Sequence, residues 1–318
     1  MSDVKYNIIF AGTPDFALPS LLACIESKHN VCAVYSQPDK PRGRGQELSP
    51  SPVKKLAVEH NIPVHTPLNF KDPAAVAELK KYSPDLIVVV AYGMILPQEV
   101  LDVPKITCLN VHSSLLPRWR GAAPINRAIM AGDTETGVSI MQVVKELDAG
   151  AVYKQDKIKI KANDTASSLH DSLAEIGASA LIDTINNIIP EGFKPEEQDS
   201  ALVTYAAKIN KSEGELDFSK TKSQLVFDFK GLQPWPGSYF FYNSDLIKVH
   251  AMYATEYEDI IEPGTIVSWN KDGLVIAAID GCVVLTSLQF PGKKALMTKD
   301  IFNSKPDYFR VGTKLAKK

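Results

Sequence analysis

Apolar and polar positions follow two different patterns along this 318-residue chain. Over the first 200 residues, short apolar runs are separated by stretches with helical spacing. Residues 6–10 and 31–36 are the first such runs, and Asp85-Leu-Ile-Val-Val-Val-Ala is apolar on both faces, as a central strand of a parallel sheet should be. Helices are expected after Gly12-Thr-Pro-Asp as far as residue 28, over 51–60, 72–82 and 165–188. A short strand is expected near Val64, with others at 107–112, 137–144 and 151–160. Residues 37–50, rich in Pro, Gly and charge, read as a long loop. Strands alternating with helices imply an α/β, Rossmann-like parallel sheet with helices on both faces.

Near residue 200 the pattern changes. Residues 208–222 are polar apart from Leu216 and Phe218, and a helix is expected near 221–230. Five short strands follow, at 238–243, 246–253, 264–269, 273–279 and 282–289. Turn signals divide them: Asn243-Ser-Asp, Pro263-Gly, Lys271-Asp-Gly and Asp280-Gly. That spacing predicts a small OB-like β-barrel. The chain thus divides into 1–207 and 208–318.

Composition changes little in this picture. The chain is 45% hydrophobic and 23% charged, ordinary for a soluble protein. It has no apolar run of membrane-spanning length, and its start lacks the apolar core of a signal peptide. A cytoplasmic location is expected. Cys24, Cys32, Cys108 and Cys282 form no C-x-x-C pair, so neither a disulfide framework nor a zinc motif is expected. The net charge of −2 does not by itself point to nucleic acid. Residues 208–318 hold 15 Lys+Arg against 13 Asp+Glu, a slight basic excess, and Lys40, Arg42 and Arg44 crowd into five positions.

Open α/β sheets bind ligands beyond the carboxyl ends of their strands. Three places qualify: the turn after Phe10, the loop after Ala91 and the loop after His112. Gly12-Thr-Pro-Asp-Phe is not the G-x-G-x-x-G of a dinucleotide site. Asn110 and His112, two apart on one strand, share a face. The loop behind them, Ser113-Ser-Leu-Leu-Pro-Arg-Trp-Arg-Gly-Ala-Ala-Pro, places an exposed-looking Trp119 between two arginines. Asp148 follows the strand at 137–144. An amide that can donate to an oxyanion, an imidazole and a carboxylate make a coherent acyl-transfer set. No G-x-S-x-G nucleophile is present, which favours direct attack by a substrate group.

With Asn110, His112, Ser114-Leu-Leu-Pro-Arg-Trp-Arg-Gly-Ala-Ala-Pro and Asp148, the sequence resembles the methionyl-tRNA formyltransferases. Phe10-Ala-Gly-Thr-Pro-Asp-Phe, Gln37-Pro-Asp-Lys-Pro-Arg-Gly-Arg-Gly, Pro50-Ser-Pro-Val-Lys, Val89-Val-Ala-Tyr-Gly and Pro234-Trp-Pro extend the resemblance over essentially the whole chain. Ser113 stands where some members carry Gly. The resemblance implies a catalytic set of Asn110, His112 and Asp148. It implies that Ser114, Leu115, Leu116 and Pro117 bind the cosubstrate 10-formyltetrahydrofolate, without a metal. It implies that Arg44, with Arg42 as an additional charge, meets initiator methionyl-tRNA. Residues 1–207 would be the formyl-folate-binding catalytic domain and 208–318 the tRNA-binding barrel of a monomer. Related formyl-folate enzymes acting on water or on an amino sugar, and a non-catalytic RNA-binding module, are the alternative readings.

Overall fold

The structure, a computed structural model, describes residues 4–42 and 47–317. Its strands begin with β1 (Asn7–Gly12), β2 (Asn30–Tyr35), β3 (Lys40–Arg42), β4 (Glu47–Ser49), β5 (Val64–His65) and β6 (Leu86–Val90). They continue with β7 (Thr107–His112), β8 (Arg120–Gly121), β9 (Glu135–Gln142), β10 (Val152–Lys159) and β11 (Tyr205–Ala206). The helices among them are α1 (Leu18–Glu26), α2 (Pro52–Glu59), α3 (Pro73–Lys80), α4 (Gln98–Leu101), α5 (Pro124–Met130) and α6 (Ala166–Asp183). Helix starts follow the local chemistry. Ser51 and Asp72 each accept a backbone N–H of the first turn, at 3.0 and 2.9 Å, ahead of a proline whose missing donor costs nothing there.

Seven strands form one sheet in the order β10-β9-β7-β6-β1-β2-β5. From β7 to β5 the pairing is parallel, as the doubly apolar runs require. One edge of the sheet departs from the parallel pattern. There β9 runs antiparallel to β7, and β10 antiparallel to β9, so the sheet is mixed. Alternation puts Ile9, Ala11, Ala33, Tyr35, Ile87 and Cys108 on one face, packed with Val76 and Leu79 of α3 and Val100 of α4. On the other face α6 approaches closely enough that a Cβ on Gly177 would lie 2.7 Å from Val111 Cγ1. Helices therefore cover both faces. No helix among the described residues is long and apolar enough to cross a membrane.

Residues 37–50, expected as a long loop, contain a short ladder: β3 and β4 pair antiparallel, Lys40 opposite Ser49 and Arg42 opposite Glu47. Polar side chains do not prevent a short ladder, because backbone groups alone make it.

The chain separates into two units. One contains residues up to Pro124, Glu135–Lys159 and Leu169–Ala206. The other contains Ile125–Thr134, Ile160–Ser168 and the chain from Ala207. In the second unit α7 (Lys222–Gly231) precedes β12 (Ser238–Tyr242), β13 (Asp245–Thr255), β14 (Ile266–Asn270), β15 (Gly273–Ala278), β16 (Gly281–Gln289), β17 (Leu296–Met297) and α8 (Thr298–Ser304). The antiparallel order is β12-β13-β16-β15-β14, with β17 on β16. The β12–β13 turn uses Asn243 and Ser244, both at positive φ (47° and 70°), the backbone that a tight two-residue hairpin demands. Leu216 and Phe218, the two apolar residues of an otherwise polar stretch, enter this unit's core with Leu225, Phe240, Ile247 and Leu285. Arg127 of α5 braces the same stretch. Its guanidinium meets Glu213 at 2.6 and 3.1 Å and donates to Ala207 O at 3.0 Å.

Candidate functional site

The strand order turns back on itself at β1, which has β2 on one side and β6 on the other. Ligand crevices of open sheets form at such a point. Across it, Thr13 Oγ1 donates to Tyr92 O at 2.9 Å, and the Gln37 amide reaches Tyr92 O and Gly93 O at 3.1 and 2.9 Å. Lys54 holds Asp39 at 2.8 Å. The Gln37-Pro-Asp-Lys segment is thereby tied to the ends of β1 and β6. Arg42 ends β3; Arg44 lies outside the described residues.

Strand β7 carries Cys108, Asn110 and His112 in one row. Cys108 is in the core, Asn110 is half-buried and His112 is buried. The Asn110 amide makes no hydrogen bond within the described residues, which leaves its donors available. His112 Nε2 lies 3.0 Å from Trp119 O. A carbonyl only accepts, so Nε2 carries the proton and Nδ1 is the atom left to take one. Nδ1 faces Asp148 Oδ2 at 3.7 Å. That oxygen also accepts the Gly121 N–H at 2.8 Å. Asp148 stands in a turn at φ 49°. Two residues on, a Cβ at Gly150 would meet Gln142 O at 2.0 Å, so only glycine fits this return of the chain. The three residues singled out from the sequence are therefore brought together: Asn110 and His112 by one strand, Asp148 by contact with the ring.

The loop Ser114–Pro117 is held by a network of hydrogen bonds. Ser114 is fully buried, and its hydroxyl donates to Arg118 O at 2.6 Å. Ser139, opposite His112 on β9, donates to Ser114 O at 2.7 Å and accepts from Leu116 N at 3.1 Å and from the Gln155 amide at 2.9 Å. Gln155 also reaches Leu116 O at 2.8 Å. Leu116, buried, precedes a cis Pro117. These two residues line a cleft of about 570 Å³ with Tyr153, Gln155, Phe193 and Gln198; Asn110, His112 and Asp148 are not on its walls. Trp119 is half-buried, not exposed, under the Arg118 guanidinium at 4.4 Å.

Several participants are not evident from sequence. Ser139 and Gln155 sit on strands where alternation marks only which face is buried. Met94 and Val143 pack on the cluster that holds Tyr92 and Cys108, and beside them Ile95 and Leu147 are exposed at 91% and 64%. These apolar side chains stand on the loops that follow β6 and β9, and the place of the first after Ala91 is a signal in the sequence. The segment after α6 also returns to the site. Thr204 O accepts Arg120 N at 2.9 Å, Thr204 Oγ1 accepts Trp119 N at 2.9 Å, and β11 pairs with β8. Among the described residues no group of three His, Cys, Asp or Glu gathers to hold a metal ion.

The mixed α/β sheet brings an amide, an imidazole and a carboxylate together on and beside β7. Residues 4–185 match the formyl transferase family and residues 208–306 match the formyl transferase C-terminal domain, so the chain belongs to the formyl transferase family. Solved structures share the fold. HypX from Aquifex aeolicus in complex with tetrahydrofolic acid is 17% identical with a TM-score of 0.60, covering 99% of this chain. This chain spans only 51% of HypX, about half its length. WlaRD, a sugar 3N-formyl transferase, is 19% identical with a TM-score of 0.65, over 92% of this chain and 100% of its own. An N-formyltransferase from Helicobacter canadensis, solved with folinic acid and dTDP-3-aminofucose, is 20% identical with a TM-score of 0.66, over 88% and 98%.

Proposed function

We propose that this protein transfers the formyl group of 10-formyltetrahydrofolate to the α-amino group of methionyl-initiator-tRNA. The observation that carries the transfer chemistry is the convergence of Asn110, His112 and Asp148 at the end of β7. The cosubstrate supplies the formyl carbon and, as its nitrogen departs, the leaving group. The open Asn110 amide suits the formyl oxygen. The neutral amine attacks the formyl carbon. Asn110 donates to the oxygen on which charge develops, the largest contribution such a site makes. Asp148 and His112 Nδ1, facing each other, take the proton that the attacking nitrogen loses, and N10 gains a proton as its bond to the formyl carbon breaks, leaving as tetrahydrofolate.

The choice of tRNA rests on the motifs that extend beyond the catalytic set, above all the basic segment at 39–45, whose arginines suit phosphates or base edges. Initiator methionyl-tRNA would be bound jointly by that segment and by residues 208–318, the protein acting as a monomer in the cytoplasm. An amino-sugar acceptor is the competing reading, because the neighbours named above include sugar formyltransferases. The test is an acceptor panel. The protein is incubated with 10-formyltetrahydrofolate and either methionyl-initiator-tRNA or a dTDP-amino sugar, and N-formyl products are identified by mass spectrometry. Formylated sugar without formylmethionyl-tRNA would overturn the proposed acceptor. Formate without a formylated acceptor would make the protein a hydrolase.

A further inference from the structure

We infer that Gln198 is a positioning residue, one that locks the Asp148 turn to the Arg120 strand and so sets where Asp148 stands relative to His112. Its catalytic consequence rests on the formyl-transfer reading above. The Gln198 side-chain nitrogen lies 2.8 Å from Asp148 O and 2.7 Å from Gly150 O, while its oxygen lies 3.0 Å from Arg120 Nε. The partners force this orientation, since two carbonyls need donors and a guanidinium N–H needs an acceptor. Both donors of the amide and one lone pair of its oxygen are spent between the Asp148 turn and Arg120 of β8, which lie from 48 to 78 residues away from Gln198 in sequence.

Both loops need such a tie. Asp148 and Trp119 hold left-handed backbone conformations, φ 49° and 66°, which side chains other than glycine rarely adopt and keep only when their surroundings impose it. These turns set the two partners of the catalytic ring. Trp119 O faces His112 Nε2, and Asp148 Oδ2 bridges the Gly121 N–H and the His112 Nδ1 side. The segment carrying Gln198 is itself anchored without this side chain. Glu196 exchanges two backbone hydrogen bonds with Val152, at 2.7 and 2.9 Å, and Thr204 pairs with the backbone of Pro117 and Arg120. Removing the Gln198 amide therefore releases the Asp148 turn, but neither the chain that crosses it nor the Trp119 turn, which Thr204 still holds.

Gln198→Ala and Gln198→Glu separate the contributions. The glutamate retains an acceptor for Arg120 and loses both donors to the Asp148 turn. Both variants should lower kcat about tenfold or more, as misplaced catalytic groups do. The Kd for 5-formyltetrahydrofolate should change less than about twofold, and Tm should stay within about 2 °C. Hydrogen exchange at the Gly121 amide reads the lock without turnover, and it should quicken at least about tenfold in both variants. Near-wild-type kcat in Gln198→Glu, or a loss of kcat only in step with Tm and folate affinity, overturns the positioning role. Unchanged Gly121 exchange overturns the lock itself. If the wild-type protein formylates no acceptor, the transfer reading fails, and the exchange result still decides whether the lock exists.

Discussion

Removal of one buried hydroxyl should loosen the site and the first unit together. Ser139 is completely buried and uses all of its hydrogen-bonding capacity: one donor to Ser114 O, and two lone pairs filled by Leu116 N–H and the Gln155 amide. In Ser139→Ala those three groups lose a partner at once. Leu116 N–H is left without its acceptor, and Gln155 keeps only Leu116 O. Each buried group left unsatisfied costs about 1–3 kcal/mol, less for a carbonyl with a second lone pair, so the total is about 3 kcal/mol. The space vacated by one oxygen is smaller than a water needs, so solvent does not make good the loss. For a unit of this size about 3 kcal/mol corresponds to a Tm lower by about 6–12 °C. The Ser114–Pro117 loop loses its brace as well, so the KM for 10-formyltetrahydrofolate should rise severalfold. Calorimetry of the full chain and a folate titration of the transfer rate read the two effects. A Tm within about 2 °C of wild type with unaltered KM would refute the reasoning, because it would mean that these hydrogen bonds do not exist as described.

Four further outcomes are expected. His112→Ala and Asp148→Asn should each cut kcat by about 10²-fold or more, and the double variant should be little worse than the poorer single, because groups acting as a unit are non-additive; near-wild-type turnover in either single would remove that residue from the chemistry. His29 is buried, accepting from Tyr6 N–H at Nδ1 (3.2 Å) and facing Asn186 Oδ1 at Nε2 (2.9 Å); burial, opposed by the Asn186 bond, holds its pKa below the ordinary value. The unfolded chain then binds the extra proton more readily, so this contribution is complete above about pH 6.5 and is lost as pH falls from there toward the folded-state pKa. Tm should consequently fall more steeply from pH 7 to 5.5 in wild type than in His29→Gln, and parallel curves would contradict it. Arg127→Met should destabilise the second unit by about 2 kcal/mol, since it leaves partly buried Glu213 without its guanidinium, and a denaturation profile with an unmoved second-unit transition would count against this. Arg44→Leu should lower kcat/KM for methionyl-initiator-tRNA more than Arg44→Lys does, with folate binding unchanged; an unaltered kcat/KM would make the 39–45 segment a connector only.

What could be read from the sequence was local. Leu86–Val90 and Thr107–His112 declare themselves as strands because burial on both faces demands uninterrupted apolar residues, and that same spacing puts Asn110 and His112 on one side. Asn243-Ser and Asp280-Gly mark hairpins because few residues tolerate the backbone such turns need. Strand direction is another matter. Nothing in the alternation of 137–144 or 151–160 distinguishes the antiparallel pairing of β9 and β10 from a parallel one, since both bury the same faces. The β3–β4 pair was hidden because a ladder made by backbone groups leaves little trace in side chains. Ser139 and Gln198 were invisible for a different reason: their partners lie from 16 to 78 residues away, and an isolated Ser or Gln carries no sign of which carbonyl it will meet. Trp119 looked exposed between two arginines, yet one of them covers its ring.

The central claim, that this site moves a formyl group directly from the folate to the methionyl amine, is tested most directly by following one labelled formyl group. Protein in molar excess is mixed with 10-[¹⁴C]formyltetrahydrofolate and methionyl-initiator-tRNA, and tetrahydrofolate, formate and formylmethionine released from the tRNA are counted over a single turnover. Formylmethionine and tetrahydrofolate rising together in equal amounts, with no labelled formate, is the predicted result. Tetrahydrofolate accompanied by formate, or label that stays on the folate while methionyl-tRNA is bound, would contradict it.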